Sequence, residues 1–126
     1  MQETEADTRA NRIDPILKKS GWGVVEGATI RREMICPGRI MPGGQRGAPL
    51  SADYVFEYRG QKLATMEAKR FGKGAGAGVG QAKDYSTRLK ARFAYASDGA
   101  EWYEIDMHTG AEGDMALPFP TPEELW

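Results

Sequence analysis

The sequence contains one cysteine, one histidine and no long apolar run. Because Cys36 stands alone, an intrachain disulfide is excluded, and a reducing compartment, the cytoplasm, is the expected location. No stretch approaches the roughly 20 apolar residues that cross a bilayer. The polar opening MQETEADTRANR is unlike a secretory signal, so no membrane partner is expected. The 126 residues, 40% hydrophobic and 28% charged, suffice for one globular domain with a core.

Positive charge is missing from the last part of the chain. No lysine or arginine follows Arg92, whereas the acids there are Asp98, Glu101, Glu104, Asp106, Glu112, Asp114, Glu123 and Glu124. From Gln61 to Arg92, eight basic residues stand against Glu67 and Asp84. A basic middle beside an acidic tail predicts a local anion-binding face within a net charge of −1. A mixed solvated surface explains the same counts.

A nucleotide-binding loop is also missing. The stretch FGKGAGAGVG lacks both the Lys-Ser/Thr ending of a Walker loop and the spacing GxGxxG, and it predicts a flexible connection. His108 has no metal-binding partner beside it in the sequence and is expected in a turn. Cys36 has no evident base nearby, so a nucleophilic role is not expected. Three aromatic residues are expected to serve packing rather than base stacking: Trp22, Trp102 and Tyr103.

Hydrophobic periodicity and turn residues predict an α/β domain with a mixed sheet. The predicted segments are a helix over about 4–20, a strand over 22–35, a glycine- and proline-rich loop over 36–50, a hairpin over 52–70, a helix over 80–91, and two strands over 92–110 joined around Asp98-Gly99. Asp14 and Pro15 predict a kink or restart in the first helix, which Gly21 ends. The tail, ALPFPTPEELW, is punctuated by prolines and is expected to begin a linker rather than join the core.

The hairpin ADYVFEYRGQKLATMEAKR carries an acid at the start of its first strand, and a glutamate and a lysine at the end of its second. A turn about Gly60 gives these opposed pairs: Asp53 with Glu67, Val55 with Thr65, and Glu57 with Leu63. Lys69 lies two residues past Glu67 and shares its face. A slip of one residue in the register would break this arrangement.

Opposed carboxylates repel unless a cation lies between them, and oxygen ligands suit Mg²⁺. The backbone carbonyl of Ala68 can add a further oxygen, while Lys69 can orient a water and stabilise charge on a phosphate. These are the parts needed to hydrolyse a phosphodiester. A Glu67–Lys69 ion pair on a solvated strand explains the same residues without chemistry. Gln81 and Tyr85, four apart, share a face of the next helix and can lie against this site, or serve as a surface glutamine and a packing tyrosine.

Asp53, the run Glu67-Ala68-Lys69, and the pair Gln81 and Tyr85 resemble the PD-(D/E)xK nuclease signature with its associated QxxxY motif. Together with RANRIDPILKKSGW, FAYASDGAEWYEIDMHTG and PFPTPEELW, they are similar to the N-terminal endonuclease domain of type I restriction enzyme R subunits. The resemblance implies a restriction-endonuclease-like core, a central mixed sheet flanked by helices. It also implies Mg²⁺ held by Asp53 and Glu67, Lys69 as the catalytic lysine, and Gln81 and Tyr85 supporting the site and contacting DNA.

The resemblance further implies a type I site-specific deoxyribonuclease with a nuclease domain over 1–116. Residues 117–126 would begin the linker to an ATP-driven motor whose motifs this sequence lacks, so ATP serves that motor and not this chain. The implied partners are double-stranded DNA and the modification and specificity subunits. The family's additional acid in the first helix corresponds to Glu5 or Asp7, with Asp7 favoured because DTR aligns. Two alternatives stay open: a catalytically silent DNA-binding or docking module with a nuclease-like fold, and a nuclease of another defence or repair system.

Overall fold

Among the described residues, six strands form a single sheet whose order in space follows the order of the chain. The structure, a computed structural model, describes residues 3–36 and 50–126. The strands are β1 (Ala28–Cys36), β2 (Leu50–Tyr58), β3 (Gln61–Ala68), β4 (Phe93–Ser97), β5 (Trp102–Asp106) and β6 (Glu112–Asp114). β3 and β4 pair in parallel, and the other neighbouring strands pair antiparallel. The predicted α/β class with a mixed sheet is confirmed.

Helical segments precede, interrupt and follow the strands. They are α1 (Glu5–Thr8), a π-helical stretch (Arg9–Ile13), α2 (Asp14–Lys19), a 3₁₀ turn (Ala75–Gly78), α3 (Val79–Leu89) and α4 (Pro122–Leu125). The 3₁₀ turn and α3 make the crossover that a parallel pair such as β3 and β4 requires. Within the described ranges, no helix has the length and apolar character needed to cross a bilayer.

The predicted order of elements is confirmed, but one boundary differs. The strand predicted over 22–35 begins only at Ala28, because Gly21, Gly23 and Gly27 take left-handed backbone angles and fold the preceding segment into turns. The predicted restart is confirmed, since α2 begins at Asp14 with Pro15 in its first turn. Asp14 does not cap that helix; its carboxylate accepts a hydrogen bond from the Tyr54 hydroxyl. Residues 37–49 of the predicted loop lie outside the described residues.

The β2–β3 hairpin turns through two residues, not about one. Arg59 and Gly60 both have positive φ, so they form the tight turn whose twist suits a hairpin, and Tyr58 pairs with Gln61. A register shift at Phe56 and Glu57 then adds one residue to β3. The pair Val55–Thr65 is therefore confirmed, whereas the predicted pair Glu57–Leu63 is wrong, since Glu57 pairs with Lys62. The bulge restores at the open end of the hairpin the register that a turn about Gly60 would have given.

The sheet is covered on both faces. One face packs its aromatic side chains against the N-terminal helices in the main core, which includes Ile13, Leu17, Trp22, Tyr54, Phe56, Met66, Tyr95, Trp102 and Phe119. The other face packs against α3, where Tyr85 contacts Ala52 and Val55, and Ala82 contacts Ala94 and Ile105. Period-two alternation predicts one apolar face of the hairpin, and its members all lie in the main core: Tyr54, Phe56, Tyr58, Ala64, Met66 and Ala68.

The C-terminal tail contributes to this core. Phe119 is 1% exposed and lies 4.8 Å from Tyr95 and 5.3 Å from Phe56, ring centre to ring centre. The backbone carbonyls of Phe119 and Pro120 accept hydrogen bonds from Ser20 and from the indole of Trp22. The expectation that this tail stays outside the core is wrong, because an aromatic ring between prolines fills the space beside the sheet. Its role as the start of a linker stays a prediction.

Candidate active site

The predicted acids meet where β2 and β3 lie side by side at the open end of the hairpin. The ladder runs through Val55–Thr65 and Tyr54–Met66, and its next step places Asp53 beside Glu67. The side chain of Asp53 also closes the strand end, since its Oδ2 accepts the Ala68 N–H at 2.8 Å. One carboxylate is thereby fixed by a backbone donor, with its second oxygen left for other partners.

Glu67 is the electrostatically unusual member of the site. Its side chain is 7% exposed, and among the described residues its Oε2 has no hydrogen-bond partner. Burial and the charge of Asp53 raise the pKa of Glu67 to about 7, although a hydrogen bond with Tyr85 and the charge of Lys69 lower it. A buried carboxylate oxygen without a partner is costly, so this geometry is suited to receive a cation.

Lys69 follows directly on the end of β3 and turns toward both Glu67 and α3. Its Nζ lies 3.5 Å from Oε1 of Glu67 and donates to Oε1 of Gln81 at 2.6 Å. Its backbone N–H donates to the carbonyl of Ser97, which continues the parallel pairing past the strand end. The side chain is 15% exposed. The ammonium is therefore held in place at a partly open position.

Helix α3 is fastened to the sheet behind the carboxylates. Thr65 Oγ1 contacts Ser86 Oγ at 2.7 Å and donates to the carbonyl of Ala82 at 3.2 Å, both in the buried layer. Tyr85 is 3% exposed and forms the hydrogen bond that acts on Glu67. Gln81, four residues earlier on the same face, reaches Lys69. The structure thus brings together all five side chains of the predicted site.

Gly78 permits this close approach. A Cβ atom on Gly78 would lie 2.9 Å from Cγ of Glu67, closer than side chains tolerate, and in contact with Cβ of Ala96 at 3.4 Å. The start of α3 therefore lies directly on the Glu67 side chain and excludes water from it. Sequence reasoning missed this role because the glycine stretch was interpreted as flexible.

The N-terminal helical segments bring a cation, Arg9 of the π-helical stretch, beside the site. Nη1 of Arg9 lies 3.9 Å from Oδ1 of Asp53, and Nη2 donates to the Asp53 carbonyl at 3.5 Å. Glu5 and Asp7 are exposed, and the Asp7 carboxylate accepts the Thr4 N–H in a capping box. Whether either acid joins the site stays a prediction. The DTR match included Arg9 but assigned it no role, and its position beside Asp53 is what identifies that role.

The donors present fit a hard divalent cation. Asp53 and Glu67 offer carboxylate oxygens, the unpartnered Oε2 among them, and these are the ligands Mg²⁺ prefers. In the described part of the chain, no group of three or more His, Cys, Asp or Glu side chains has a metal-binding arrangement. Any further ligands would have to be backbone oxygens such as the Ala68 carbonyl, water, or substrate oxygens, as is usual for Mg²⁺.

The largest of the surface cavities described lies away from Asp53, Glu67 and Lys69, and its acidic lining does not suit a phosphate backbone. A cavity of about 610 Å³ lies between β4, β5, β6 and the tail. Its acidic lining residues are Glu104, Asp106, Glu112, Asp114 and Glu124. Like charges repel DNA at close range, so this cavity is not a candidate for the substrate.

The fold and this site define an α/β protein with two carboxylates and a lysine at the open end of the β2–β3 hairpin. The chain is similar to the endonuclease subunit of the type I restriction enzyme EcoAI from Escherichia coli, with 31% identity over 134 aligned residues. It is also similar to a fragment structure of an HsdR subunit of a type I restriction enzyme from Vibrio vulnificus YJ016, with a TM-score of 0.85 and 38% identity. No family model matches the sequence.

These similarities span nearly all of this chain but only part of each relative. The alignment covers 98% of this chain and 16% of the EcoAI subunit, and the superposition covers 99% of this chain and 25% of the Vibrio chain. The relatives are thus subunits of type I restriction enzymes, and the chain aligns with one segment of each.

Proposed function

We propose that the chain is a Mg²⁺-dependent DNA endonuclease domain of a type I restriction R subunit, which hydrolyses phosphodiester bonds without sequence specificity of its own. The observation that carries the proposal is the buried, unpartnered Oε2 of Glu67, with Asp53 beside it and the Lys69 ammonium 3.5 Å from Oε1. The name of the EcoAI subunit includes endonuclease activity, and that activity is extended to this chain as part of the proposal.

Mg²⁺ would be held by Asp53, Glu67 and the Ala68 carbonyl, and when bound it supplies Lewis-acid stabilisation of phosphate charge. Glu67 contributes its charge once the cation offsets the burial that keeps it protonated. Lys69 orients the attacking water and donates to the developing negative charge on the phosphate. Gln81 accepts from Lys69 and fixes the direction of the ammonium, while Tyr85 holds the Glu67 carboxylate from behind.

DNA would be bound by phosphate contacts around this site. Gln81 is exposed and Tyr85 is buried. Of these two residues, Gln81 is therefore the one expected to contact a DNA strand, while Tyr85 supports it. Double-stranded DNA, the modification and specificity subunits, and an ATP-driven motor elsewhere in the subunit are the proposed partners. In that setting the domain would cut foreign DNA delivered by the motor.

The proposal is tested by cleavage of plasmid DNA with Mg²⁺, using the chain alone and within a restriction complex supplied with ATP. We expect Glu67→Ala and Lys69→Ala to reduce cleavage at least a hundredfold, because each removes a group that acts on the transition state. Lys62→Ala, which removes a lysine at the other end of β3, is the matched control and should cut like the parent. Equal cutting by Lys69→Ala and the parent would refute the assignment.

One observation favours a catalytically silent DNA-binding module. Asp53 already has the Ala68 N–H and the Arg9 guanidinium as partners, so its charge is compensated without a metal. Calorimetric titration with Mg²⁺ separates the two functions. The nuclease requires a binding event that Asp53→Ala abolishes, whereas the silent module shows salt-dependent DNA binding and no metal-dependent event.

A further inference from the structure

We propose that Asp98, assisted by Glu101, is a positioning residue that fixes the glycine-rich loop and thereby sets α3 against Glu67 and Lys69. The inference rests on the proposed function only in naming those two residues as the site. Its evidence is a set of hydrogen bonds that no motif of the sequence marked.

Asp98 is a buried residue, and each of its two carboxylate oxygens accepts two hydrogen bonds from backbone N–H groups. It is 2% exposed and follows β4, the strand beside the catalytic end of β3. The four N–H groups that it accepts belong to Gly72 (3.2 Å) and Gly74 (2.9 Å) through Oδ2, and to Ala100 (3.0 Å) and Glu101 (2.7 Å) through Oδ1. One carboxylate thus joins the turn after β4 to the loop after Lys69.

The loop held in this way is ordered rather than a loose connection. Gly72 and Gly74 have φ of 90° and 91°, values that side chains rarely permit, and their N–H groups point at Asp98. Glu101 adds a hydrogen bond from Ala75 N–H at 3.1 Å, at the first residue of the 3₁₀ turn. The prediction that this stretch is a flexible connection is therefore wrong, because these glycines adopt defined backbone angles.

The held loop leads directly into the site. The 3₁₀ turn ends at Gly78, which lies on Glu67, and three residues later Gln81 accepts from Lys69. If the hydrogen bonds from Gly72 and Gly74 to Asp98 are lost, the start of α3 is no longer held in position. Gln81 then no longer holds the Lys69 ammonium. Asp98 therefore acts on Lys69 through Gln81 without touching the reacting atoms.

Burial alone would raise the pKa of Asp98, but the backbone hydrogen bonds from Glu101, Gly74, Ala100 and Gly72 outweigh burial and hold that pKa below its usual value. The carboxylate is accordingly charged throughout the neutral range. Asn at this position keeps the size of the side chain but replaces one acceptor oxygen by an NH₂ group, which faces backbone donors. Asp98→Asn is for this reason the sharpest single substitution.

The test measures amide hydrogen exchange and the acylation rate of each lysine by mass spectrometry in the 126-residue chain. In Asp98→Asn we expect exchange at Gly72, Gly74 and Ala75 to rise roughly tenfold or more while strand amides stay protected. Lys69 should acylate several-fold faster, with Lys62 and Lys90 unchanged, and Gln81→Ala should give the same increase at Lys69. General loosening would instead raise exchange and labelling across the chain, and that result overturns the proposal.

The matched control is Asp106→Asn. Asp106 also ends a strand and accepts backbone donors, His108 N–H at 2.9 Å and Thr109 N–H at 3.4 Å, but it lies in the β5–β6 turn away from Lys69. This control should leave Lys69 labelling at the parent rate. The inference is also overturned if a folded Asp98→Asn chain shows the parent rates of amide exchange in the glycine-rich loop and of Lys69 acylation.

If Asp98→Asn does not fold, Glu101→Ala, which removes the acceptor of the Ala75 N–H, decides. Glu101 is exposed and its Oε1 holds only the Ala75 N–H, so faster exchange at Ala75 with faster labelling of Lys69 supports the proposal, and parent rates contradict it. Neither readout requires a metal. A parent chain that gives no heat with Mg²⁺ counts against the proposed function alone.

Discussion

At the scale of single residues, the site combines a carboxyl group whose pKa is raised with a lysine ammonium 3.5 Å away. Glu67 lies under Gly78 and beside Asp53, and both raise its pKa through desolvation and repulsion. Lys69 and Tyr85 offset only part of that effect. Folding without a metal therefore costs free energy at this position whenever the pH ionises the carboxyl group.

Replacing Glu67 by glutamine should make the metal-free chain more stable at high pH. In the folded parent the pKa is about 7, against 4.5 for the free side chain. Below pH 4.5 the Glu67 carboxyl group is protonated in both the folded and the unfolded chain, so its contribution to the unfolding free energy is fully present. It is lost as the pH rises through 7, by on the order of 2–3 kcal/mol. Urea unfolding of parent and Glu67→Gln in EDTA, from pH 4 to pH 8, measures the difference.

The control for that experiment is Glu104→Gln, a change at an exposed carboxyl on β5. Its stability relative to the parent should not vary across the same pH range. A Glu67→Gln chain whose advantage stays constant between pH 4 and pH 8 would show that the pKa of Glu67 is not raised.

At the scale of elements, two features decide the site: the hairpin and the start of α3. The bulge after the two-residue turn keeps Asp53 and Glu67 side by side, and the Thr65–Ser86 contact fixes α3 over β3. Neither the bulge nor the Thr65–Ser86 contact involves the side chains of the candidate site. The approach of α3 depends on the absence of a side chain at Gly78.

Two glycine-to-alanine changes at the start of α3 should change the unfolding free energy in opposite directions. Gly78→Ala places a methyl group 2.9 Å from Glu67 Cγ, so we expect a loss of about 1–3 kcal/mol in unfolding free energy and weaker Mg²⁺ binding. Gly80 lies within α3 with open space where a Cβ would be, so Gly80→Ala should stabilise by roughly 0.5–1 kcal/mol. Urea unfolding and calorimetry on both variants check this, and equal effects would contradict the steric argument.

At the scale of the whole molecule, the two ends of the described chain close the same core. α2 brings Leu17, and the tail brings Phe119, onto the aromatic face of the sheet. The indole of Trp22 donates to the Pro120 carbonyl at 2.9 Å, which ties the two segments together. Removing the tail would therefore expose the core that supports the hairpin.

Phe119→Ala should cost about 3–5 kcal/mol of unfolding free energy, because it empties the space between Phe56, Tyr95 and Trp102. Leu117→Ala, two residues earlier and 46% exposed, should change stability by less than about 0.5 kcal/mol. Urea midpoints of the two variants give the comparison. Similar midpoints would mean that the tail is not part of the folded core.

Much of the fold was predictable because local rules apply to it. Alternation of apolar residues predicted the inward face of the hairpin, the Asp98-Gly99 pair predicted the β4–β5 turn, and Gly21 predicted the end of the first helix. The Glu57–Leu63 pair and the tail were mispredicted, since a bulge and the filling of a core space depend on distant neighbours. The PD-(D/E)xK assignment and the roles of the site residues stay predictions.

The sequence by itself determined the α/β class and the five side chains of the candidate site, because strand alternation and helix spacing fix which residues share a face. Only the tertiary structure decided how those side chains are held. Arg9 beside Asp53, Gly78 on Glu67 and Asp98 on the glycine loop are contacts between segments far apart in the chain. Such contacts follow from packing in three dimensions, which no local pattern of residues encodes.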